Sequence, residues 1–204
     1  VATRVAPDDT WRARFAGRRL IVYAGALDKV RQPALMIQAM AQVRQVQPQA
    51  LLLMVGGAPE SADLAELQAL VARLGLGDHV LFTGWVSPAQ TLGFVAAAEA
   101  GLSMIPRGPL YDVSSPTKLA EYLALGVPAV ANDLPDQLQV LRDSGAGACV
   151  AFDAAAIAAA VLQLLQDPAQ AQALGAAGQR YVEQHRSYAA LARTVAGVYR
   201  ALLS

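Results

Sequence analysis

The run Ser114-Ser115-Pro116-Thr117-Lys118-Leu119-Ala120-Glu121-Tyr122 has the residue types and spacing to hold an anion. Serine ahead of proline marks a helix start: Ser115 as the cap accepts the first amide protons, and Pro116 at the first helical position pre-sets φ. The amides of Thr117 and Lys118 then point outward, and with the positive end of the helix dipole they favour phosphate. Lys118 and Glu121 are three residues apart and share a helix face. They offer an ammonium for phosphate and, one turn on, a carboxylate able to take two hydroxyl protons, a pairing that suits a nucleoside diphosphate. The same residue types also fit an ordinary capped surface helix with one weak ion pair, so the surrounding elements must decide.

Other residues bear on the same chemistry. Lys29 and Lys118 are the chain's only lysines, and both follow predicted strands, with Arg31 beside the first. Gly25 ends the segment Tyr23-Ala24-Gly25, where a missing side chain lets phosphates approach the backbone, although a turn glycine explains it as well. Trp85-Val86-Ser87-Pro88 follows the third predicted strand and offers a ring suited either to a nucleobase or to strand-end packing. The stretch from Arg107 to Ser115, with Gly108, Pro109, Tyr111 and Asp112, is long for a strand-to-helix connection and therefore a functional loop by expectation. No GxGxxG follows the first strand and no GxxxxGK[ST] occurs anywhere, so the usual dinucleotide and P-loop signals are both missing.

These residues need strands and helices to position them. Short apolar runs at Leu20–Ala24, Leu51–Val55, Val80–Thr83, Gly101–Ile105, Pro128–Ala131 and Ala148–Phe152, each bounded by Gly, Pro, Asp or Asn, predict buried parallel strands. Helical periods lie between them. Leu64, Leu67, Leu70, Val71 and Leu74 form one, with Asp63 expected as its cap, Glu66 three later and Gly75 as its stop. Such alternation predicts an α/β fold, a doubly wound parallel sheet binding ligands beyond the carboxyl ends of its strands. Three helices without strands are expected at the end, over Ala154–Leu165, Pro168–Gln184 and Tyr188–Leu203. Residues 1–18 read as a linker, 19–185 as the main domain and 186–204 as a terminal helix.

Composition removes several function classes. With 55% hydrophobic residues in 204, a sizeable core can be buried. A formal net charge of zero argues against nucleic acid as a partner, and no apolar run reaches the ~20 residues that span a bilayer. The amino-terminal residues lack signal-peptide character, so a cytoplasmic location is expected. One cysteine, Cys149, cannot form an intramolecular disulfide, and the two histidines, His79 and His185, have no zinc-type spacing. No metal is expected.

Four segments together carry a resemblance. They are Tyr23-Ala24-Gly25 with its basic loop, Val55-Gly56-Gly57, Val80-Leu81-Phe82-Thr83-Gly84-Trp85-Val86, and Ser115 through Ala131. Over nearly its whole length the chain resembles the carboxyl-terminal, nucleotide-sugar-binding domain of a GT-B glycosyltransferase, of the retaining group called family 4 or group 1. The resemblance implies a Rossmann-like half of a two-domain architecture, with extra carboxyl-terminal helices. It implies that Glu121 binds the nucleotide ribose, that the helix start at Ser114, Ser115, Thr117 and Lys118 meets the diphosphate, and that Arg31, or Lys29, reaches the same phosphates. Gly25, Trp85 and Val86 complete the implied donor site. The family's pair of glutamates eight apart is broken here by Val113, with Asp112 one residue out of register, and the arginine often following the first-strand glycine is Ala26. A Ser-Pro-x-Lys-x-x-Glu-Tyr form without paired glutamates exists in the group, and this chain resembles it. No cofactor is implied beyond a substrate such as a UDP-, GDP- or ADP-sugar, its acceptor held by an amino-terminal domain absent from this chain. The expected setting is cytoplasmic polysaccharide or lipid-linked glycan synthesis, with any membrane contact made through the other half. A nucleotide-sugar epimerase of the same fold and a non-catalytic nucleotide-binding or interaction module are the alternative readings.

Overall fold

The computed structural model describes residues 13–203. Its six strands are β1 (Arg19–Ala24), β2 (Ala50–Val55), β3 (Val80–Gly84), β4 (Ala100–Ser103), β5 (Ala129–Asn132) and β6 (Gly147–Val150). All pair in parallel in the order β3-β2-β1-β4-β5-β6. The chain therefore runs outward from β1 in one direction, returns to the centre, and runs outward in the other. Both faces are covered, which is why the strands read as unbroken apolar runs. Ile21, Tyr23, Leu52 and Met54 face one core, and Leu20, Val22, Leu51, Leu53 and Val55 the other, as the period-two alternation of a strand requires.

The helices are α1 (Ala34–Val46), α2 (Ser61–Arg73), α3 (Pro88–Ala97), α4 (Thr117–Ala124), α5 (Pro135–Ser144), α6 (Ala154–Gln166), α7 (Pro168–Tyr181) and α8 (Tyr188–Leu203). Met36, Ile37, Met40 and Val43 of α1 share the first core with Ile157, Val161 and Leu164 of α6. Phe94 and Val95 of α3 join Leu119, Tyr122 and Leu123 of α4 in the second. Ser87 and Gln90 close a reciprocal capping box ahead of α3, with Pro88 in the first turn. Among the described residues, no helix is long and apolar enough to cross a membrane.

Several expected boundaries shift. Asp63 is not the cap of α2. That position belongs to Glu60, because the Asp63 carboxylate instead accepts the Lys29 backbone N–H at 3.3 Å and pairs with its ammonium at 3.7 Å. The fourth strand stops at Ser103 rather than Ile105, because the Ile105 backbone pairs with a side chain: Asn132 Oδ1 accepts its N–H at 2.9 Å and Asn132 Nδ2 donates to its carbonyl at 2.8 Å. The last strand ends at Val150, where the chain turns into the Asp153 cap of α6. In place of one helix to Gln184, α7 ends at Tyr181 and continues as a five-residue π-turn, Val182–Arg186. Of the expected linker, residues 1–12 lie outside the described residues; Phe15 packs on Phe94 with ring centroids 6.4 Å apart.

Asn132, Ser103 and Gln137 form a fully buried polar cluster at the carboxyl ends of β4 and β5, and its side-chain polar atoms are all bonded. Through Ile105 this cluster sets where the long loop to α4 departs. Replacing Asn132 with alanine leaves both Ile105 backbone groups unpaired, and is expected to cost about 2 kcal/mol in a urea unfolding series.

Candidate functional site

The sheet opens where its direction of winding changes. β1 and β4 stay paired only through Ile21–Ala100 and Val22–Gly101, and beyond them the two strands part at their carboxyl ends. A single side chain bridges the gap. The Tyr122 hydroxyl, wholly buried, accepts the Ala24 N–H at 2.8 Å and donates to the Leu102 carbonyl at 3.3 Å. Burial raises its pKa well above that of an ordinary phenol. Tyr122→Phe is expected to cost about 1–2 kcal/mol in chemical unfolding, by stranding the Ala24 N–H.

The start of α4 lies beside this opening, but it is built differently from the sequence expectation. Pro116 occupies the cap position with extended backbone (φ −67°, ψ 114°), the first helical residue is Thr117, and no side chain caps the turn. Ser115 is therefore not the cap. Its hydroxyl donates to Asp136 Oδ2 at 2.9 Å and accepts from Arg186 at 3.4 Å. A residue preceding proline is pushed out of the helical region, and with Pro116 itself extended the serine stands one residue too early to reach the first amides. The amides of the first turn are left without a side-chain acceptor, and the dipole end remains open to an anion.

Lys118 reaches back from this turn toward β1. Its ammonium lies 4.2 Å from the Tyr23 ring centroid and 3.0 Å from where a Cβ on Gly25 would stand. None of the ion pairs among the described residues includes it. Burial, then repulsion from Arg31, lowers its pKa to about 8, with Glu121 and Asp28 opposing. Tyr23 is also buried, its pKa is raised by that burial, and its hydroxyl donates to the Ala26 carbonyl at 3.1 Å. Arg31 stands in a short 3-10 turn, Lys29–Arg31, capped by Asp28, and its guanidinium pairs with the Asp28 carboxylate. Gly25 and Lys118 thus meet at the end of β1, with Arg31 near enough for its charge to act on Lys118. Glu121 is exposed one turn further along α4.

The structure does not bring every expected residue there. Lys29 faces α2 instead: its ammonium bonds Glu66 at 2.8 Å, and that bond chiefly raises its pKa. Asp112 is held within its own loop by the Arg107 guanidinium, at 2.6 and 3.2 Å, and by the Gly108 N–H at 3.2 Å. The Arg107 bond chiefly lowers its pKa. Val113 beside it is 85% exposed. The Ser114 hydroxyl donates to the Tyr111 carbonyl at 2.7 Å and closes the same loop. Trp85 is 72% exposed at the rim, its ring over Gly57, while Val86 packs on the second core. Tyr23 and Tyr122 stand inside the sequence motifs, but nothing in the local pattern assigns their hydroxyls a structural role. Asp136 and Arg186 carry no local signal either, since they meet Ser115 only through tertiary folding.

A doubly wound parallel sheet, with an uncapped helix start and the Lys118 ammonium beside its switch point, defines a Rossmann-like domain. The chain belongs to the family of glycosyl transferases group 1, whose model matches residues 9–181. Its sequence is 31% identical over 187 residues to the GDP-mannose-dependent alpha-(1-6)-phosphatidylinositol monomannoside mannosyltransferase of Mycolicibacterium smegmatis, covering 87% of this chain and 48% of that protein. The chain spans about half the length of the curated relatives it matches. Among solved structures it is similar to the sucrose-phosphate synthase of Thermosynechococcus elongatus, with TM-score 0.72 and 26% identity over 97% of this chain and 49% of that one. Anabaena HepE, solved with UDP and glucose, has the same fold at TM-score 0.79 and 17% identity, over 94% of this chain and 51% of that one. Among the described residues, no group of three or more His, Cys, Asp or Glu side chains is placed to hold a metal ion.

Proposed function

We propose that the chain is the donor-binding half of a glycosyltransferase, which holds a nucleoside-diphosphate sugar while a second domain, outside this chain, presents the acceptor. The observation that carries this reading is Lys118: an ammonium withdrawn from water with no carboxylate in hydrogen-bond contact, set at an uncapped helix start with Arg31 nearby. A buried cation without an anion is costly, and a diphosphate would supply the anion. Glu121, one turn along the same face, takes the ribose hydroxyls. During transfer, negative charge grows on the departing diphosphate, and the α4 amides, Lys118 and Arg31 meet it as a preorganised field in place of a protein-held metal ion. The named donor of the mycobacterial relative, GDP-mannose, and the UDP bound by HepE both support a nucleotide-sugar donor.

Calorimetric titration of the chain with UDP, GDP and ADP tests this directly. One diphosphate is expected to bind, and Glu121→Ala to weaken it about tenfold, as the loss of a charged acceptor for two hydroxyls implies. Failure of all three to bind, or binding indifferent to Glu121→Ala, would overturn the donor-site assignment.

A further inference from the structure

The α4 helix is gripped at both ends by the same carboxyl-terminal segment. At its far end, α7 approaches so closely that a Cβ on Gly175 would lie 2.0 Å from the Gly126 carbonyl oxygen, and Gln179 Nε2 donates to the Ala124 carbonyl at 3.4 Å. At its start, the π-turn after α7 carries Arg186 to Ser115. The guanidinium donates to Asp136 Oδ1 at 2.8 Å and to the Ser115 hydroxyl at 3.4 Å, and that hydroxyl in turn donates to Asp136 Oδ2 at 2.9 Å. Beside it, the Tyr181 ring packs on His185 with centroids 4.9 Å apart. A π-turn adds one residue to the helical repeat and re-aims the side chains beyond it, and such turns are common where function needs a side chain redirected.

Ser115 lies two residues before Thr117, the first residue of the uncapped turn assigned to the diphosphate. Leu119 and Tyr122 anchor the buried face of α4 in the core, but no side chain caps its start, and the clasp holds the residue ahead of Pro116. We infer that Arg186 is a positioning residue for the donor site, holding the Ser115–Lys118 segment in place through Asp136 so that its amides are aimed before ligand arrives. This inference rests on the proposed donor site for its effect on binding, though not for the clasp itself. It also makes the path into α8 part of the donor site's support, since Arg186 is the last residue before the Ser187 cap of that helix.

Arg186→Met keeps the aliphatic stem and removes the clasp, and Arg186→Lys restores one cation. Two measurements on the full chain separate the outcomes: amide hydrogen exchange without ligand, and calorimetric affinity for GDP, UDP and ADP. Arg186→Met is expected to speed exchange over residues 115–120 about tenfold, leaving β1 and β2 unchanged, and to weaken the diphosphate that binds by about the same factor. Arg186→Lys should recover part of both, and adding Ser115→Ala to Arg186→Met, which also removes the remaining bond to Asp136, should add less than Ser115→Ala costs alone. Unchanged exchange at the start of α4 would overturn the positioning role. If wild type binds none of GDP, UDP and ADP, the donor-site reading fails while the exchange measurement still decides the clasp; if exchange responds and affinity does not, the inferred link to binding is wrong.

Discussion

Lys118→Met is expected to weaken nucleoside-diphosphate binding by about 10- to 100-fold while making the free chain more stable, a charge-assisted bond being lost in the first case and a desolvated charge removed in the second. The stability sign comes from the depressed pKa. In the folded chain Lys118 titrates at about 8, against 10.5 for an ordinary lysine. Between those values the unfolded chain binds the extra proton, so stability rises with pH across that window and is lowest, with respect to this group, below pH 8. Binding runs the opposite way. Diphosphate affinity should be full below pH 8 and fall above it by up to about tenfold per pH unit, because the free site must first regain its proton. In Lys118→Met both dependences should vanish. Calorimetry between pH 6.5 and 9.5 and urea unfolding over the same range read the two effects separately; a variant less stable than wild type at pH 7 would contradict the electrostatic account.

Gly56→Ala should be among the most damaging small substitutions in the chain. Gly56 has φ +133°, and a Cβ there would stand 2.2 Å from the carbonyl oxygen of Gly25, so either β1 or β2 must move at the crevice rim. Backbone strain of this kind plus overpacking implies a loss of about 3 kcal/mol. The displaced residue is Gly25, against which Lys118 rests, so diphosphate binding should fall as well. Gly77→Ala is the matched control: no atom lies within 4 Å of its Cβ. A near-neutral result for Gly56→Ala in chemical unfolding would show that the rim tolerates movement the geometry forbids.

The sheet was legible in the sequence because burial on both faces turns each strand into a short, uniformly apolar run that turn residues bracket. The three terminal helices were legible from alanine-rich composition with no strand-like run between them, though not the π-turn that ends α7. The features that were not legible depend on contacts between distant residues. Ser115 carries a helix-cap pattern, yet Pro116 takes the cap position and the serine bonds Asp136 and Arg186, 21 and 71 residues away. Asp63 has the same pattern and is drawn instead to Lys29. That contact and Glu66 turn Lys29 away from the crevice, so the two lysines that looked equivalent in sequence have different surroundings in the fold. Asp112, a neighbour of the missing first glutamate, is committed to Arg107, an interaction that residue types alone do not rank above ligand binding. Tyr122 combines an ordinary helix-face position with a hydroxyl that bridges the two strands at the switch point, and only the divergence of β1 and β4 reveals that second role.

The proposed donor site comes down to a location: a diphosphate seated between the first turn of α4 and the end of β1. Backbone amide shifts recorded by NMR during titration with GDP and UDP locate it directly. The largest changes are expected at Gly25, Thr117 and Lys118, with those near Glu121 lost in Glu121→Ala. Shifts confined to the groove of about 560 Å³ between α1 and α2, around Gln38, Leu70 and Arg73, would contradict that location.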